Sequence, residues 1–346
     1  MEKYLISICI PTYNQPREVK NLLDSLFLQV NSGLNIEIII RDDSADSETE
    51  RLVNDYIKKS SISIRYFRGE KEGVDKALIF LVQEAKGKYI WWIGDDVLVE
   101  KALLKVINVI IARPNLLFIW VNFYNADNKK LYIDLKEDRL FKDKNDVLKK
   151  LGIAGLGFIS AMIFKREIAL RNIKKSEKYI GTSFVSLFLA VSVVAESMEN
   201  QCYFLNSPII INHPTTIQGI KDATIKGGKI KNEFFNVFGI SAYNIIKEFE
   251  NEFNKQIIRE ILKNNFASMW RGVLVGWIGG WDAPKGKRWE MFKYYWNFPE
   301  FWIAIIPFLM PLWVDKILFR IYKIFFSHRK FVFNENFKKF LSLKNK

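Results

Sequence analysis

Apolar residues along the first 125 positions follow two alternating periods. Leu5 to Ile10 is a short continuous apolar run, broken by Pro11-Thr12-Tyr13-Asn14. Pro16 then opens a segment in which Val19, Leu22, Leu23, Leu26, Phe27 and Val30 fall at i, i+3, i+4, i+7, i+8 and i+11, one face of a helix. Ile36 to Ile40 reads as a second strand ending at Asp42-Asp43, and Asp46 or Ser47 caps a helix that buries Leu52, Val53, Tyr56 and Ile57. Ile62 to Phe67 is a third strand. A loop at Gly73 leads into a helix with Val74, Ala77, Leu78, Leu81, Val82 and Ala85 on one face. Tyr89 to Ile93 is a fourth strand, stopped by Gly94-Asp95-Asp96. A helix through Leu103, Val106, Ile107 and Ile110 follows, then a fifth strand from Leu116 to Phe123. Strands alternating with amphipathic helices predict an α/β fold with a mainly parallel sheet covered on both faces.

Residues 150–215 are less regular. Two apolar runs there, Phe158 to Phe164 and Cys202 to Ile211, read as strands completing the sheet. From about Asn232 the pattern turns helical, through Phe234, Phe235, Phe238 and Ile245 and then Ile257, Ile258, Ile261, Leu262 and Phe266. The expected organisation is therefore a 1–230 domain, with halves 1–125 and 126–230, followed by a helical region at 231–346.

Composition changes this picture mainly at the C-terminal end. Hydrophobic residues make up 49% of the 346 residues, which excludes wholesale disorder. Two cysteines with no CxxC spacing exclude a disulfide framework and a thiolate zinc site, and point to a reducing compartment. The opening residues carry no secretory leader pattern. The net charge is +14, and from Val314 to Lys346 nine Lys or Arg stand against only Asp315 and Glu335. Seven tryptophans fall between Trp270 and Trp313. Phe301 to Trp313 is uncharged but broken by Pro307 and Pro311, and at 13 residues it is shorter than the roughly 20 a spanning helix needs. Ile317, Leu318, Ile321, Ile324 and Phe325 form an apolar face ringed by Lys316, Arg320, Lys323, Arg329 and Lys330. A basic amphipathic helix beside an aromatic segment predicts attachment to an anionic membrane surface. Nucleic acid is not the expected partner, because the basic residues frame an apolar face instead of interleaving with stacking side chains.

Candidate chemistry gathers where the strands end, the edge at which open α/β sheets bind ligands. Tyr13 could stack on a base, Asp42 could accept hydrogen bonds from base or ribose, and Lys76 could meet a phosphate. Asp95 and Asp96 are adjacent carboxylates at the end of an apolar strand. They repel each other unless a cation or proton intervenes, and their hard oxygens suit Mg2+ or Mn2+ on a diphosphate.

In this order the motifs resemble a known family. Ser7-Ile8-Cys9-Ile10-Pro11-Thr12-Tyr13-Asn14 resembles the opening of family 2 glycosyltransferases with the GT-A fold, and Asp42-Asp43-Ser44-Ala45-Asp46-Ser47-Glu48-Thr49 resembles their second acidic segment. Gly73 to Ala77 is similar to their glycine-containing loop, and Gly94-Asp95-Asp96 to their DxD region. Within the family the chain most resembles bacterial transferases of O-antigen deoxysugars, such as abequosyltransferases. The resemblance implies a nucleoside-diphosphate sugar donor held by Pro11, Thr12, Tyr13, Asn14, Asp42, Asp43, Gly73, Asp75, Lys76 and Asp95. It implies Mn2+ or Mg2+ on Asp96, with His213 brought in late. It further implies inverting transfer to a polyprenyl-diphosphate-linked glycan in lipopolysaccharide assembly, by a protein peripheral to the cytoplasmic face of the inner membrane.

Three departures follow. Gly94-Asp95-Asp96-Val97 is one Asp short of the commoner form. Ala45 and Asp46 replace Ser and Thr. The expected Glu-Asp base segment has as its counterpart Tyr179-Ile180-Gly181-Thr182-Ser183-Phe184, which contains no carboxylate. The candidate bases are Glu177, Glu196, Glu199 and Asp95. The basic loop from Thr215 to Gly228 reads as a lid over the phosphates. A sugar-phosphate nucleotidyltransferase would need a glycine-rich loop after the first strand, which Pro11-Thr12-Tyr13-Asn14 is not. A catalytically decayed, membrane-bound sugar-binding module is the non-enzymatic alternative.

Overall fold

A computed structural model of the chain describes residues 3–30, 33–125, 131–133, 135–212, 225–226, 229–230, 239–278, 293–299, 301–302 and 317. The chain divides into two compact units, one of residues 1–221 and 241–261, the other of 222–240 and 262–346.

The first unit follows the expected alternation through β1 (Tyr4–Thr12), α1 (Pro16–Phe27), β2 (Ile36–Asp42), α2 (Glu48–Lys59), β3 (Ser63–Arg68), α3 (Val74–Glu84) and β4 (Gly87–Trp92). It continues through β5 (Val97–Leu98), α4 (Ala102–Ala112), β6 (Phe118–Asn125), β7 (Arg139–Leu140), α5 (Lys144–Gly157), β8 (Met162–Lys165), α6 (Arg166–Ser176), α7 (Val185–Glu196), β9 (Cys202–Asn212) and α8 (Ala242–Glu248). Among the described residues nine strands form one sheet in the order β3-β2-β1-β4-β8-β6-β9-β5, with β7 also on β9. Ile6, Ile8, Cys9 and Ile10 of β1 and Ile38, Ile39 and Ile40 of β2 are all buried, the mark of strands covered on both faces. The helix after β2 begins as expected, with Asp46 Oδ1 accepting from Glu48 N at 2.9 Å.

Three expectations are corrected. The sheet is mixed, not mainly parallel. β3, β2, β1 and β4 run parallel, but β8 lies antiparallel between β4 and β6, and β5 and β7 are antiparallel to β9. Pro11 does not break β1, because the ladder to β4 ends at Cys9–Trp92 and on that side no donor is required of it. Of the run Phe158 to Phe164 only the end is strand, since Ile159–Ala161 forms a 3-10 turn.

Helices α5, α6 and α7 fill the irregular stretch. Every residue of α7 from Val185 to Ala195 is buried, so it has no polar face and no amphipathic signature. It packs against α3, α5, α6, α8 and β8. Gly152 kinks α5 at φ 60°.

Toward the amino-terminal ends of the strands one buried carboxylate binds three elements together. Glu37 on β2 accepts from Ser7 Oγ of β1 at 2.6 Å, from Lys86 N at 2.6 Å and from Arg65 Nε of β3 at 3.1 Å. Ser7 Oγ in turn accepts from Gly87 N at 2.8 Å.

In the second unit β10 (Ile225–Lys226) pairs antiparallel with β11 (Lys229–Ile230). Phe266, on α9 (Lys255–Ile278), packs with Tyr295 and Phe301, and Tyr295 Oη donates to Gly239 O at 2.9 Å. Phe301, read from sequence as part of a membrane-facing segment, is buried, whereas Trp296 and Trp302 are half exposed. The rest of that segment and the basic helix, apart from Ile317, lie outside the described residues. Among the described residues no helix is long and apolar enough to cross a membrane.

Gly87 has no room for a side chain. A Cβ there would stand 2.5 Å from Ser7 N, 2.7 Å from Ser7 Oγ and 2.8 Å from Ile6 C. Gly87→Ala must push β1 from β4, and we expect it to cost about 1–3 kcal/mol. Urea denaturation followed by tryptophan fluorescence should show a lower midpoint; a wild-type midpoint would mean that these strand ends separate freely.

Candidate active site

Parallel register brings the carboxyl ends of the strands level. Thr12 pairs with Asp42, and Asp42 with Arg68. The turn after β1 is tied to the turn after β2, because Asp43 N donates to Thr12 O at 3.1 Å and Asn14 N to Ser44 Oγ at 2.7 Å. Asn14 makes this possible by adopting a left-handed φ of 52°, which Asn tolerates better than most residues. Thr12 Oγ1 is buried and has no protein partner.

Asp42 is fully buried at this edge. Its Oδ1 accepts from Ser44 N at 2.9 Å and its Oδ2 from Tyr66 Oη at 2.6 Å. Burial first, and then the bond to the Asp42 carboxylate, push the Tyr66 phenol well above its ordinary range. Its neighbour Asp43 is committed elsewhere, accepting from Arg41 Nε at 2.7 Å. Arg41 lies 4.6 Å over the Phe80 ring and 3.7 Å from Glu72. Tyr13 is partly exposed, with Lys71 Nζ 4.5 Å from its ring centroid. Lys76, expected to meet a phosphate, pairs with Glu72 at 2.6 Å and is half exposed.

Gly73, at φ 90°, turns the chain into α3. Asp75, expected beside the nucleotide, is buried there and faces a different element. Its Oδ2 accepts from Gly181 N and Ser183 N, each at 2.8 Å, and its Oδ1 from Val185 N at 3.2 Å. Burial raises its pKa, and these backbone donors partly offset the rise.

Asp95 and Asp96 follow β4. Asp96 is buried and Asp95 half buried. The loop is held by Gly94 N donating to Ser160 Oγ at 3.2 Å and by Trp91 Nε1 donating to Ser160 O at 2.9 Å. Among the described residues no three His, Cys, Asp or Glu side chains converge as a metal cage. Two adjacent carboxylates nevertheless fit Mg2+ or Mn2+, which are commonly held by one or two carboxylates with phosphate and water completing the shell. His213 lies outside the described residues.

Of the candidate bases only Asp95 stands on this loop. Glu196 ends α7, about 16 Å along the helix from Val185 at 1.5 Å per residue. There it pairs with Arg171 at 2.6 Å and accepts from Asn172 Nδ2 at 3.0 Å. Glu177 is exposed, at the start of the 3-10 turn Glu177–Tyr179. Glu199 is also exposed, beyond α7.

Reading the sequence did not pick out Tyr66, Arg41, Lys71 or Ser160. Tyr66 carried a usable signal, standing two residues before the partner of Asp42 on the neighbouring strand and hence on the same face. Ser160 carried none.

Residues 7–169 match the protein family described as glycosyl transferase family 2, so the chain carries a family 2 glycosyltransferase domain. Over 247 residues, 66% of this chain and 70% of the relative, it is 27% identical to abequosyltransferase RfbV of Salmonella typhimurium strain LT2. Over 147 residues it is 30% identical to an uncharacterised glycosyltransferase of Rickettsia typhi, covering 41% of this chain and 44% of that one. The fold is similar to that of S. aureus TarS residues 1–349 in complex with UDP. That match has a TM-score of 0.59 and 16% identity and covers 90% of this chain and 88% of the other. The α/β domain is thus a GT-A fold.

Tyr66→Phe should leave Asp42 short of one donor in a fully buried position, at a cost of about 1–3 kcal/mol near neutral pH. A phenol whose folded pKa is raised stabilises the fold fully below its unfolded value of 10.0 and loses that contribution as pH rises. The advantage of wild type over the variant, read from thermal unfolding, should therefore shrink above pH 10. A gap independent of pH would rule out the Tyr66–Asp42 pair as its source.

Proposed function

We propose that this glycosyltransferase moves a sugar from a nucleoside-diphosphate donor to a hydroxyl of a lipid-linked glycan, with inversion, in assembly of a bacterial surface polysaccharide. The observation that carries the reading is the level array at the strand ends. Thr12 and Asp42 end β1 and β2 and Tyr13 follows Thr12, with the Asp95-Asp96 pair on the loop that follows their neighbour β4. A buried carboxylate suits the base or ribose of a nucleoside, and an adjacent acidic pair suits a diphosphate with its cation. The acceptor reading draws support from the likeness to abequosyltransferase RfbV, and the donor reading from TarS, a similar fold solved with UDP-GlcNAc and with UDP.

On this reading Asp42 accepts hydrogen bonds from the nucleoside and Tyr13 packs against it, while the buried Thr12 hydroxyl supplies a further polar contact. Asp95 and Asp96 would hold Mn2+ or Mg2+, which would offset charge on the departing diphosphate. The acceptor hydroxyl attacks the anomeric carbon as the bond to the diphosphate breaks, and its proton passes to a carboxylate. Of the candidates Glu177 stands just ahead of the turn at Tyr179–Phe184, whereas Glu196 is committed to Arg171 and Asn172. The +7 segment at Val314–Lys346 and the half-exposed Trp296 and Trp302 support peripheral attachment to an anionic, cytoplasm-facing membrane surface.

Thermal stabilisation by a panel of UDP, GDP, CDP and dTDP sugars, with and without Mn2+, tests the donor assignment. Asp96→Ala should abolish transfer and the metal-dependent part of stabilisation. Asp42→Ala should weaken nucleotide binding whether or not metal is present. Metal-dependent transfer at the wild-type rate in Asp96→Ala would reject this assignment of the acidic pair. Reversing charge at Arg320, Lys323 and Lys330 should reduce flotation with anionic vesicles and leave neutral ones little affected. Equal flotation with both would reject the electrostatic attachment.

A further inference from the structure

We infer that Asp75 is a positioning residue for transfer, whose carboxylate on α3 fixes the turn at Tyr179–Phe184. This rests on the glycosyltransferase reading above and goes beyond it.

The turn lies where chemistry has to happen. Asp75 is in the first turn of α3, just past the Gly73 loop that follows β3, so the amides it binds are at the carboxyl edge of the sheet. On its other side the turn approaches the acidic loop. A Cβ at Gly157 would be 3.9 Å from the Phe184 ring, and two residues further on, Ile159 Cδ1 would be 3.6 Å from a Cβ at Gly94. The turn is therefore linked to the Gly73 loop through Asp75, and to Gly94-Asp95-Asp96 through the segment 157–159.

Its shape depends on Asp75. Gly181 and Ser183 both adopt left-handed backbone, at φ 85° and 61°, and for Ser183 that conformation carries a steric cost. The alternation points the amides of Gly181, Ser183 and Val185 at one carboxylate. α3 and α7 both begin here, and the positive ends of two helices favour the charged form at a buried position. Asp75 is 3% exposed, and three of its acceptor positions are filled by these amides. With three acceptor positions committed to one turn, it is assigned to that turn and not to the nucleotide. It acts instead through the turn, fixing Thr182 and Ser183 relative to the acidic loop.

Asp75→Asn keeps the volume but replaces one acceptor oxygen with a donor, which opposes the amides. For the best donor in the nucleotide-sugar panel, release of nucleoside diphosphate should be measured with membrane-extracted lipid-linked glycans as acceptor. Rates are to be normalised to nucleotide-binding sites counted by calorimetry. We expect kcat to fall roughly 10- to 100-fold, the scale of a misplacement of about 1 Å, with donor KM within about two-fold of wild type. Gly181→Ala is the second variant, since its Cβ meets nothing within 4 Å but its φ strains the turn while the Asp75 carboxylate is kept. It should show the same fall in kcat alone, and it carries the test if Asp75→Asn does not fold. A rise in donor KM at unchanged kcat would make Asp75 a nucleotide contact and overturn the inference. So would unchanged kinetics in both variants, or fewer binding sites with unchanged kcat per site. A wild type that binds no nucleotide sugar would overturn the glycosyltransferase reading itself, an outcome distinct from these.

Discussion

The parallel pairing of β1 with both β2 and β4 is the constraint from which the site follows. One register places Thr12 opposite Asp42 and sets the acidic loop after β4 beside them. A slip of one residue would turn every side chain of a strand to the opposite face. The register is held at both ends. At the back, Glu37 joins Ser7, Arg65 and the Lys86 amide; at the front, Asn14 and Asp43 join the β1 and β2 turns. Removing one partner from a buried charge such as Glu37 costs far more than an exposed pair would, on the order of 3–5 kcal/mol. The network therefore resists any pairing other than the one that aligns the strand ends.

What could be read from the sequence was what has a period or a stop signal. Apolar spacing located α1 through α4, and Pro, Gly and Asp residues marked where the strands turn. The acidic residues at those turns marked the candidate edge. Three features had no such signal. β8 is four residues long, so nothing in it reveals that it runs against its neighbours. α7 is apolar all round, because it is surrounded, and a surrounded helix has no stripe. The partners of Asp75 are 106 to 110 residues away, and no local pattern encodes a contact at that range. The carboxylate was legible as a candidate; its target was not.

The same distinction separates the acidic residues by role. Asp42, Asp43 and Asp75 all occupy family-like positions, and all are buried. Hydrogen bonding divides them. Asp43 is used by Arg41, Asp75 by the turn before α7, and Asp42 by Tyr66 and Ser44 at the carboxyl end of β2. Motif position alone would have treated them as one set.

The antiparallel insertion of β8 also bears on biosynthesis. β4 receives its second neighbour only from Met162–Lys165, roughly 70 residues after β4 ends. At the usual pace of about 5–20 residues per second, the nascent chain carries β4 as an open edge for several seconds. That edge includes Ile90, Trp91 and Trp92, apolar and rich in β-forming side chains. Unpaired edges of this composition are where strands from other chains add. The chain is therefore most vulnerable to misassembly on the ribosome between the fourth strand and the eighth, a window in which a holdase that masks β4 would decide the yield of folded enzyme.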